Sequence, residues 1–171
     1  MKENKNGAQV VEDENKLVAS RREKLQVIRA KREAYPNAFQ RESTAQLLIA
    51  EYGAKEKSQL EELAATTMIA GRIVRMRGPF VVITDGGVKI QLYVNKKDLS
   101  EALASELKLL DLGDIIGVAG VVFKTNKEEL TVRLSHFQIL SKSLRPLPDK
   151  HKGLIDTELR YRQRYLDLIV N

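Results

Sequence analysis

Apolar and polar residues alternate along two neighbouring stretches in the middle of the chain, Thr67–Ile83 and Val88–Val94. In the second stretch every other residue is apolar, and the residues between them include Gln91 and Tyr93. A period of two is typical of a strand with one buried face and one outward face. The two stretches therefore predict strands of one small sheet.

The outward face of these strands combines an aromatic ring with an amide. Val81 and Ile83 take the buried phase of the first stretch, so Phe80 falls in the outward phase, as Gln91 does in the second. Single-stranded nucleic acid is bound by rings that stack on bases and by groups that hydrogen bond to base edges. The pattern therefore indicates a surface for unpaired bases, with a core position at the start of a strand as the alternative for Phe80.

The remaining periodicity predicts the other elements and their order. Helical spacing predicts helices or helical turns over residues 15–34, 43–52, 56–63 and 98–110. Strands are predicted over residues 66–75, 79–84, 88–94, 114–123 and 129–140. Asp98 is a candidate cap for the helix that separates the third and fourth strands. This order is that of a five-stranded Greek-key barrel, the OB-fold, and an open five-stranded sheet is the alternative.

The predicted fold class is mainly β with flanking helices, a five-stranded OB-fold barrel preceded by an N-terminal helical segment. Residues 1–15 are predicted to be a disordered tail, residues 16–65 the helical segment and residues 66–142 the barrel. Residues 143–171 are predicted to form an exit linker followed by a basic amphipathic helix over residues 155–170.

Composition narrows the class of protein further. The chain has 171 residues and no cysteine, which excludes a disulfide scaffold and a thiolate zinc site. Its longest apolar run, Ile115–Phe123, is too short to cross a bilayer, so no membrane partner is expected. No apolar leader is visible, and we expect a cytoplasmic protein. His136 and His151 lie far apart in the sequence, and no metal site is expected.

The net charge of +6 is unevenly distributed. Between Lys16 and Arg32 there are seven lysines and arginines, and Glu23 is the one acidic residue. Such a helix favours a polyanionic partner. It either contacts phosphates or is a solvated amphipathic helix packed on the domain, and the second must hold in part.

Several stretches of this chain resemble the N-terminal anticodon-binding region of bacterial class II lysyl-tRNA synthetases. The matching stretches are Ala70–Ile73, Lys89–Val94, Asp111–Gly117, Phe123–Thr125, Leu144–Lys150 and Arg160–Leu168. The last two are the most specific. The related aspartyl and asparaginyl enzymes share the barrel, but this exit sequence is not expected in them.

The resemblance implies roles for individual residues. In the family a Phe stacks on the central anticodon base, and by motif position this is Phe80. Polar side chains read that base and its neighbours, and by position they are Gln91, Glu129 and Arg77. The candidates for RNA backbone contacts are Arg72 and Arg75 and, on the basic helix, Arg21, Arg22 and Arg29.

Strand phase supports the assignment of Glu129, because the alternate residues of Leu130–Leu134 carry the buried phase and leave Glu129 outward. A carboxylate near RNA phosphates is unfavourable unless it accepts a specific donor. Uridine N3–H is such a donor, and a lysine anticodon is uridine-rich. The alternative for Glu129 is a solvated hairpin residue.

The resemblance also implies a parent enzyme, a lysine–tRNA ligase that uses ATP and Mg. The family's catalytic domain would follow this chain. No nucleophile–base pair or phosphate loop is found here, so no catalytic residue and no cofactor are assigned, and the chain alone is expected not to aminoacylate. The expected partner is lysine-accepting tRNA. The parent is expected to be a homodimer built largely by the missing domain, which leaves a monomer open for this chain.

Two other functions fit parts of the sequence. One is a free-standing, nonspecific binder of single-stranded RNA or DNA. The other is a protein-interaction module that docks through its last helix. The exit sequence and the last helix favour the interpretation as a synthetase domain, because neither alternative requires them.

Overall fold

The computed structural model describes residues 3–148 and 154–170, which form two compact units. The larger unit is Glu23–Ser143, and the other combines the described residues of 1–22 with those of 144–171. The four-part division predicted from the sequence has other boundaries and stays a prediction.

Five strands in the larger unit close into a barrel. They are β1, Thr66–Arg77, β2, Phe80–Asp85, β3, Val88–Tyr93, β4, Ile115–Lys124, and β5, Leu130–Ser141. Around the barrel the order is β1-β2-β3-β5-β4, with β4 paired back to β1. The β3–β5 pair is parallel and the other pairs are antiparallel. The predicted barrel and its strand order are confirmed, and the open sheet is wrong.

The barrel interior consists of the residues in the buried phase of the alternating stretches. Eight of these aliphatic side chains have no exposed surface: Ile69, Ile73, Ile83, Leu92, Val118, Val122, Val132 and Ile139. Burying each of them contributes about 1.5–3 kcal/mol of hydrophobic free energy. Because one register satisfies all of these positions, the core also fixes which residues face outward.

The turn between β1 and β2 positions the first outward aromatic residue. β1 continues to Arg77, two residues beyond its predicted end at Arg75. Arg77 then pairs with Phe80 across a two-residue turn in which Gly78 has a φ of +57°. Glycine adopts this left-handed conformation without a steric penalty. Phe80 therefore begins β2 directly beside the end of β1.

The first helix, α1, runs over Glu3–Lys31. The prediction of a disordered tail over residues 1–15 is therefore wrong from Glu3 onward, and Met1 and Lys2 lie outside the described residues. No proline interrupts this stretch of sequence, so the helical backbone continues beyond the segment with clear apolar spacing. In the larger unit Leu25 and Ile28 of this helix are buried.

Two short helices follow. They are α2, Ala45–Tyr52, and α3, Lys57–Leu63. The Thr44 side chain caps α2 by accepting a hydrogen bond from the Leu47 N–H, and Gly53 ends it. Both helices were predicted, with ends that differ by one or two residues.

The helix between β3 and β4 is shorter than predicted. It is α4, Glu101–Glu106, with 3₁₀ turns at Lys96–Asp98 and Leu107–Leu109. The expected cap at Asp98 is wrong, because the Ser100 side chain accepts from the Leu103 N–H instead. The buried Leu99 has an extended backbone, with φ −101° and ψ 148°, which separates the first 3₁₀ turn from the helix.

In place of the single last helix predicted over residues 155–170, the smaller unit has two. They are α5, Thr157–Arg162, and α6, Arg164–Val170. Gln163 breaks the helix with φ −119° and ψ 54°. The buried Asp167 carboxylate accepts from Arg160 Nε at 2.7 Å and Arg164 Nη1 at 3.1 Å, which ties the two short helices together.

One end of the barrel holds a buried charged cluster. The fully buried ammonium of Lys142 donates to the Asp114 carboxylate at 2.6 Å and to the Asp111 carboxylate. Asp114, also fully buried, accepts from the Ser143 N–H, and Lys24 of α1 donates to Asp111 at 2.7 Å. Burial by itself would raise the pKa of Asp111, but the hydrogen bonds and charges of Lys142 and Lys24 outweigh it and lower that pKa.

The end of β5 leads into residues 144–148, which form neither helix nor strand, as expected for the linker. His136 lies exposed in β5, whereas His151 lies outside the described residues. In the part of the chain that the structure describes, we find no helix of the length and apolar character that crossing a membrane requires.

Candidate nucleic-acid interface

Two rows of outward-facing side chains cross the barrel wall. Cross-strand pairing defines the first row as Arg77, Phe80, Tyr93 and Arg133. The second row is Arg75, Val82, Gln91, Thr131 and Phe123. Directly paired residues point to the same side of a sheet. We call this surface, with its two adjacent rows, the two-row face.

Three aromatic rings follow one another across the two-row face. The ring centroids of Phe80 and Tyr93 lie 5.5 Å apart, and those of Tyr93 and Phe123 lie 6.2 Å apart. Each ring is half-buried, so part of its surface is available to a ligand. Phe80 is therefore an outward ring at the start of β2, and the alternative of a core aromatic is wrong.

A cation lies over the last of these rings. The Arg133 guanidinium is 5.0 Å from the centroid of Phe123, within the range of a cation–π interaction. Arg133 is exposed. The three rings and this planar cation together form a surface on which flat, electron-rich bases stack favourably.

The Gln91 amide is held by a defined hydrogen-bond network. Its Nε2 donates to the Thr131 hydroxyl at 3.1 Å, and that hydroxyl donates to the Glu129 carbonyl oxygen at 3.0 Å. Because the Thr131 proton is directed to Glu129, its oxygen acts as an acceptor toward Gln91. The amide is thus oriented with its nitrogen toward β5, which presents the amide oxygen to a donor such as a base N–H.

The Glu129 side chain is exposed and lies in the turn just before β5. Its backbone is well fixed, since its N–H donates to the Thr125 hydroxyl and its carbonyl accepts from the Thr125 N–H. The preceding Glu128 has a φ of +58°, which marks a tight turn. The Glu129 carbonyl thus accepts from the Thr131 hydroxyl that contacts Gln91, and the Glu129 side chain is exposed, as the strand phase indicated.

The predicted arginines of β1 divide into two groups. Arg75 and Arg77 are exposed and belong to the two-row face, one in each row. Arg72 is half-buried, pairs with Thr84 of β2 and Ile115 of β4, and donates to the Gly113 carbonyl oxygen at 2.8 Å. Arg72 therefore lies one row beyond the two-row face, and its predicted backbone contact stays a prediction.

The basic helix α1 also contains arginines in different settings. Arg22 and Arg29 are exposed. Arg21 is only 7% exposed and donates to the Arg145 carbonyl oxygen at 3.2 Å. A buried guanidinium bonded within the protein is not presented to a phosphate, so the structure argues against Arg21 as an RNA contact.

Part of the positive charge of α1 has a structural role. Lys24 pairs with Asp111, and Arg32 pairs with Glu106 at 3.0 Å. The expectation that the helix packs on the domain is thus met for these two residues. The attraction for phosphates falls to the exposed cations.

Sequence reasoning did not assign roles to Tyr93, Phe123, Arg133 and Thr131. Arg133 lies between the buried Val132 and Leu134, so its outward position was readable from the same period of two. The residues that lie beside Arg133 on the barrel wall could not be identified from this period, because the pairing of β3 with β5 joins residues about 40 positions apart.

The comparisons define the class of protein first. Residues 68–140 match the family model described as OB-fold nucleic acid binding domain. These residues include all five strands in whole or in large part. The barrel of this chain is therefore similar to OB-fold nucleic acid binding domains.

The full chain is then similar to one kind of enzyme. It is 51% identical over all of its 171 residues to a lysine–tRNA ligase of Hahella chejuensis, and 50% identical to that of Teredinibacter turnerae. It is 52% identical over 163 residues, 93% of the chain, to that of Neisseria gonorrhoeae. The chain spans about a third of the length of the curated relatives it matches. The chain is thus similar to the N-terminal third of lysine–tRNA ligases, which confirms the resemblance.

Proposed function

We propose that the two-row face binds the anticodon loop of lysine-accepting tRNA. The observation that carries this proposal is the juxtaposition of Phe80 and Gln91 on one barrel wall, with Arg75 and Arg77 beside them. Stacking rings, an oriented amide and exposed arginines are the three kinds of group that bind unpaired RNA. The similarity to lysine–tRNA ligases favours the lysine anticodon as the loop.

In this proposal each residue has one role. The Phe80 ring stacks on the central uridine, and the oxygen atoms of Gln91 and Glu129 accept hydrogen bonds from uridine N3–H groups. Arg75 and Arg77 contact loop phosphates at the edge of the same face. The exposed Arg22 and Arg29 of α1 add attraction for the RNA backbone that does not depend on sequence.

The whole enzyme's activity follows as a further proposal. The parent protein would attach lysine to its tRNA in the cytoplasm, using ATP and Mg, as a homodimer. No cluster of three or more His, Cys, Asp or Glu side chains that could hold a metal ion is found among residues 3–148 and 154–170. In this proposal the ATP and Mg sites lie in the part of the ligase outside this chain, and this chain acts in tRNA binding.

The test is a binding measurement by fluorescence anisotropy. The ligands are a stem-loop with the lysine anticodon and the same stem-loop with its central uridine changed to cytidine, each at two salt concentrations. We expect a preference for uridine that persists at the higher salt, because base contacts depend on salt less than phosphate contacts do. Equal and steeply salt-dependent binding of both loops would instead favour the nonspecific single-strand binder.

A pair of variants locates the site. Phe80→Ala removes the stacking ring and is expected to weaken binding by about 1–3 kcal/mol. Leu47→Ala is the matched control, because Leu47 is an equally apolar, 57% exposed residue on α2. If both variants bind like the unmodified chain, the two-row face is not the anticodon site.

A further inference from the structure

We propose that Tyr93, Phe123 and Arg133 form a second base-binding position, next to that of Phe80. This inference rests on the proposed function and assigns to these residues a nucleotide that flanks the central anticodon base. The flanking base would stack on the Tyr93 ring, and the Arg133 guanidinium would cover it or hydrogen bond to its edge.

The geometry of the first row carries the argument. Tyr93 pairs with Phe80 on one side and with Arg133 on the other. Neighbouring strands lie about 4.8 Å apart, so these three side chains follow one another in steps of one strand. A strand of RNA that places one base on Phe80 and continues across the sheet meets Tyr93 and then Arg133.

The Arg133 side chain is already prepared for such a contact. Its guanidinium lies over the Phe123 ring, 5.0 Å from the centroid, and this contact restricts the group while the residue remains exposed. A guanidinium held against a ring loses less conformational freedom when a base binds than a free side chain would. Its remaining N–H groups are donors for the carbonyl oxygens of a pyrimidine.

The competing explanation is that these side chains only stabilise the barrel wall. Aromatic pairs across strands do stabilise sheets, and the contacts between Phe80, Tyr93 and Phe123 fit that role. A purely stabilising role, however, does not require an exposed arginine over the Phe123 ring. The two explanations differ in whether the loss of Tyr93 is felt by one particular base of the RNA.

The experiment combines protein variants with loops that lack single bases. Four stem-loops are compared: the full lysine anticodon loop, and loops with an abasic nucleotide at the central, the 5′-flanking or the 3′-flanking anticodon position. The proteins are the unmodified chain, Tyr93→Ala, Tyr93→Phe, Arg133→Gln and Arg133→Lys. Thermal unfolding of each variant checks that it is folded. If Tyr93→Ala does not fold, the variants of the exposed Arg133 still test the inference.

We expect Tyr93→Ala to weaken binding of the full loop about tenfold. The same variant should show no further loss with the loop that lacks one of the flanking bases, because the partner of Tyr93 is then already missing. Tyr93→Phe should bind normally. Arg133→Lys should lose as much as Arg133→Gln, because a lysine keeps the charge but not the plane.

Two results would overturn the inference. One is that Tyr93→Ala and Arg133→Gln weaken all four loops by the same factor or not at all. The other is that Arg133→Lys binds as tightly as the unmodified chain, which would make Arg133 a phosphate contact. In either case the proposed function stands if the unmodified chain still discriminates against the loop without its central base, and it fails separately if that discrimination is absent.

Discussion

Replacing Lys142 by methionine should be among the most destabilising single changes in the barrel unit. Methionine has a similar length but no charge, so the substitution leaves the buried Asp114 carboxylate without its cation. Removing one partner of a buried ion pair costs about 3–5 kcal/mol. This is a large part of the stability of a typical domain, about 5–15 kcal/mol.

Lys24 offers a matched control in the same cluster. It also pairs with Asp111, but its side chain is 27% exposed, whereas the Lys142 side chain is fully buried. A partly solvated pair contributes about 0–1 kcal/mol. Lys24→Met should therefore be several times less destabilising than Lys142→Met in urea unfolding followed by circular dichroism.

The difference should also depend on pH. The folded-state pKa of Asp111 is lowered, so its contribution is fully present above its unfolded-state pKa and is lost as the pH falls through the folded-state pKa. Lys142→Met lacks the part of this contribution that comes from Lys142, so the variant has less to lose at low pH. The stability gap between the variant and the unmodified chain should therefore narrow below about pH 4. If Lys142→Met is no worse than Lys24→Met at neutral pH, the reasoning about this cluster is refuted.

Three further changes test other parts of the molecule. Thr131→Val removes the acceptor that orients Gln91. It should weaken uridine-specific binding by about 0.5–1.5 kcal/mol with little change in the urea midpoint. Unchanged discrimination between the two loops would show that the Gln91 amide needs no such support. Gly120→Ala should destabilise the barrel by about 1–3 kcal/mol, because a Cβ there would lie 2.1 Å from a carbonyl oxygen of β5, and an unchanged midpoint would contradict that close approach. Arg22→Gln should reduce the salt slope of RNA binding by about 1, whereas Arg21→Gln should reduce stability and leave the slope unchanged; the reverse result would contradict the burial of Arg21.

The barrel was predictable because its strands alternate strictly. The buried phase of Val81 and Ile83 placed Phe80 outward, and the same period placed Gln91 outward. Local signals of this kind depend only on residues two positions apart. They fix which face a residue occupies, provided that the strand itself is recognised.

Pairing between distant strands could not be predicted in the same way. The contact of Gln91 with Thr131 and the ion pair of Lys142 with Asp114 join residues 40 and 28 positions apart. Nothing in the local pattern identifies these partners. The resemblance to a family named Phe80, Gln91, Glu129 and Arg77, but it did not place Tyr93, Phe123 and Arg133 beside them.

The predicted helix boundaries were wrong where contacts of side chains override the apolar spacing. Leucine spacing predicted one helix over residues 98–110, but Ser100 provides a better cap and Leu99 turns into the core. The last helix is broken at Gln163, where Arg160 and Arg164 converge on one buried carboxylate. Both corrections arise from specific tertiary or capping contacts.

The central claim is that the outer wall of the barrel, at the two-row face, binds anticodon bases. The most direct test is an NMR titration of the isotope-labelled 171-residue chain with the lysine anticodon stem-loop, repeated with the loop whose central uridine is replaced by cytidine. We predict that the largest shifts lie at Phe80, Gln91 and Thr131, and that these shifts differ between the two loops. Shifts confined to α1, or identical for both loops, would contradict the claim.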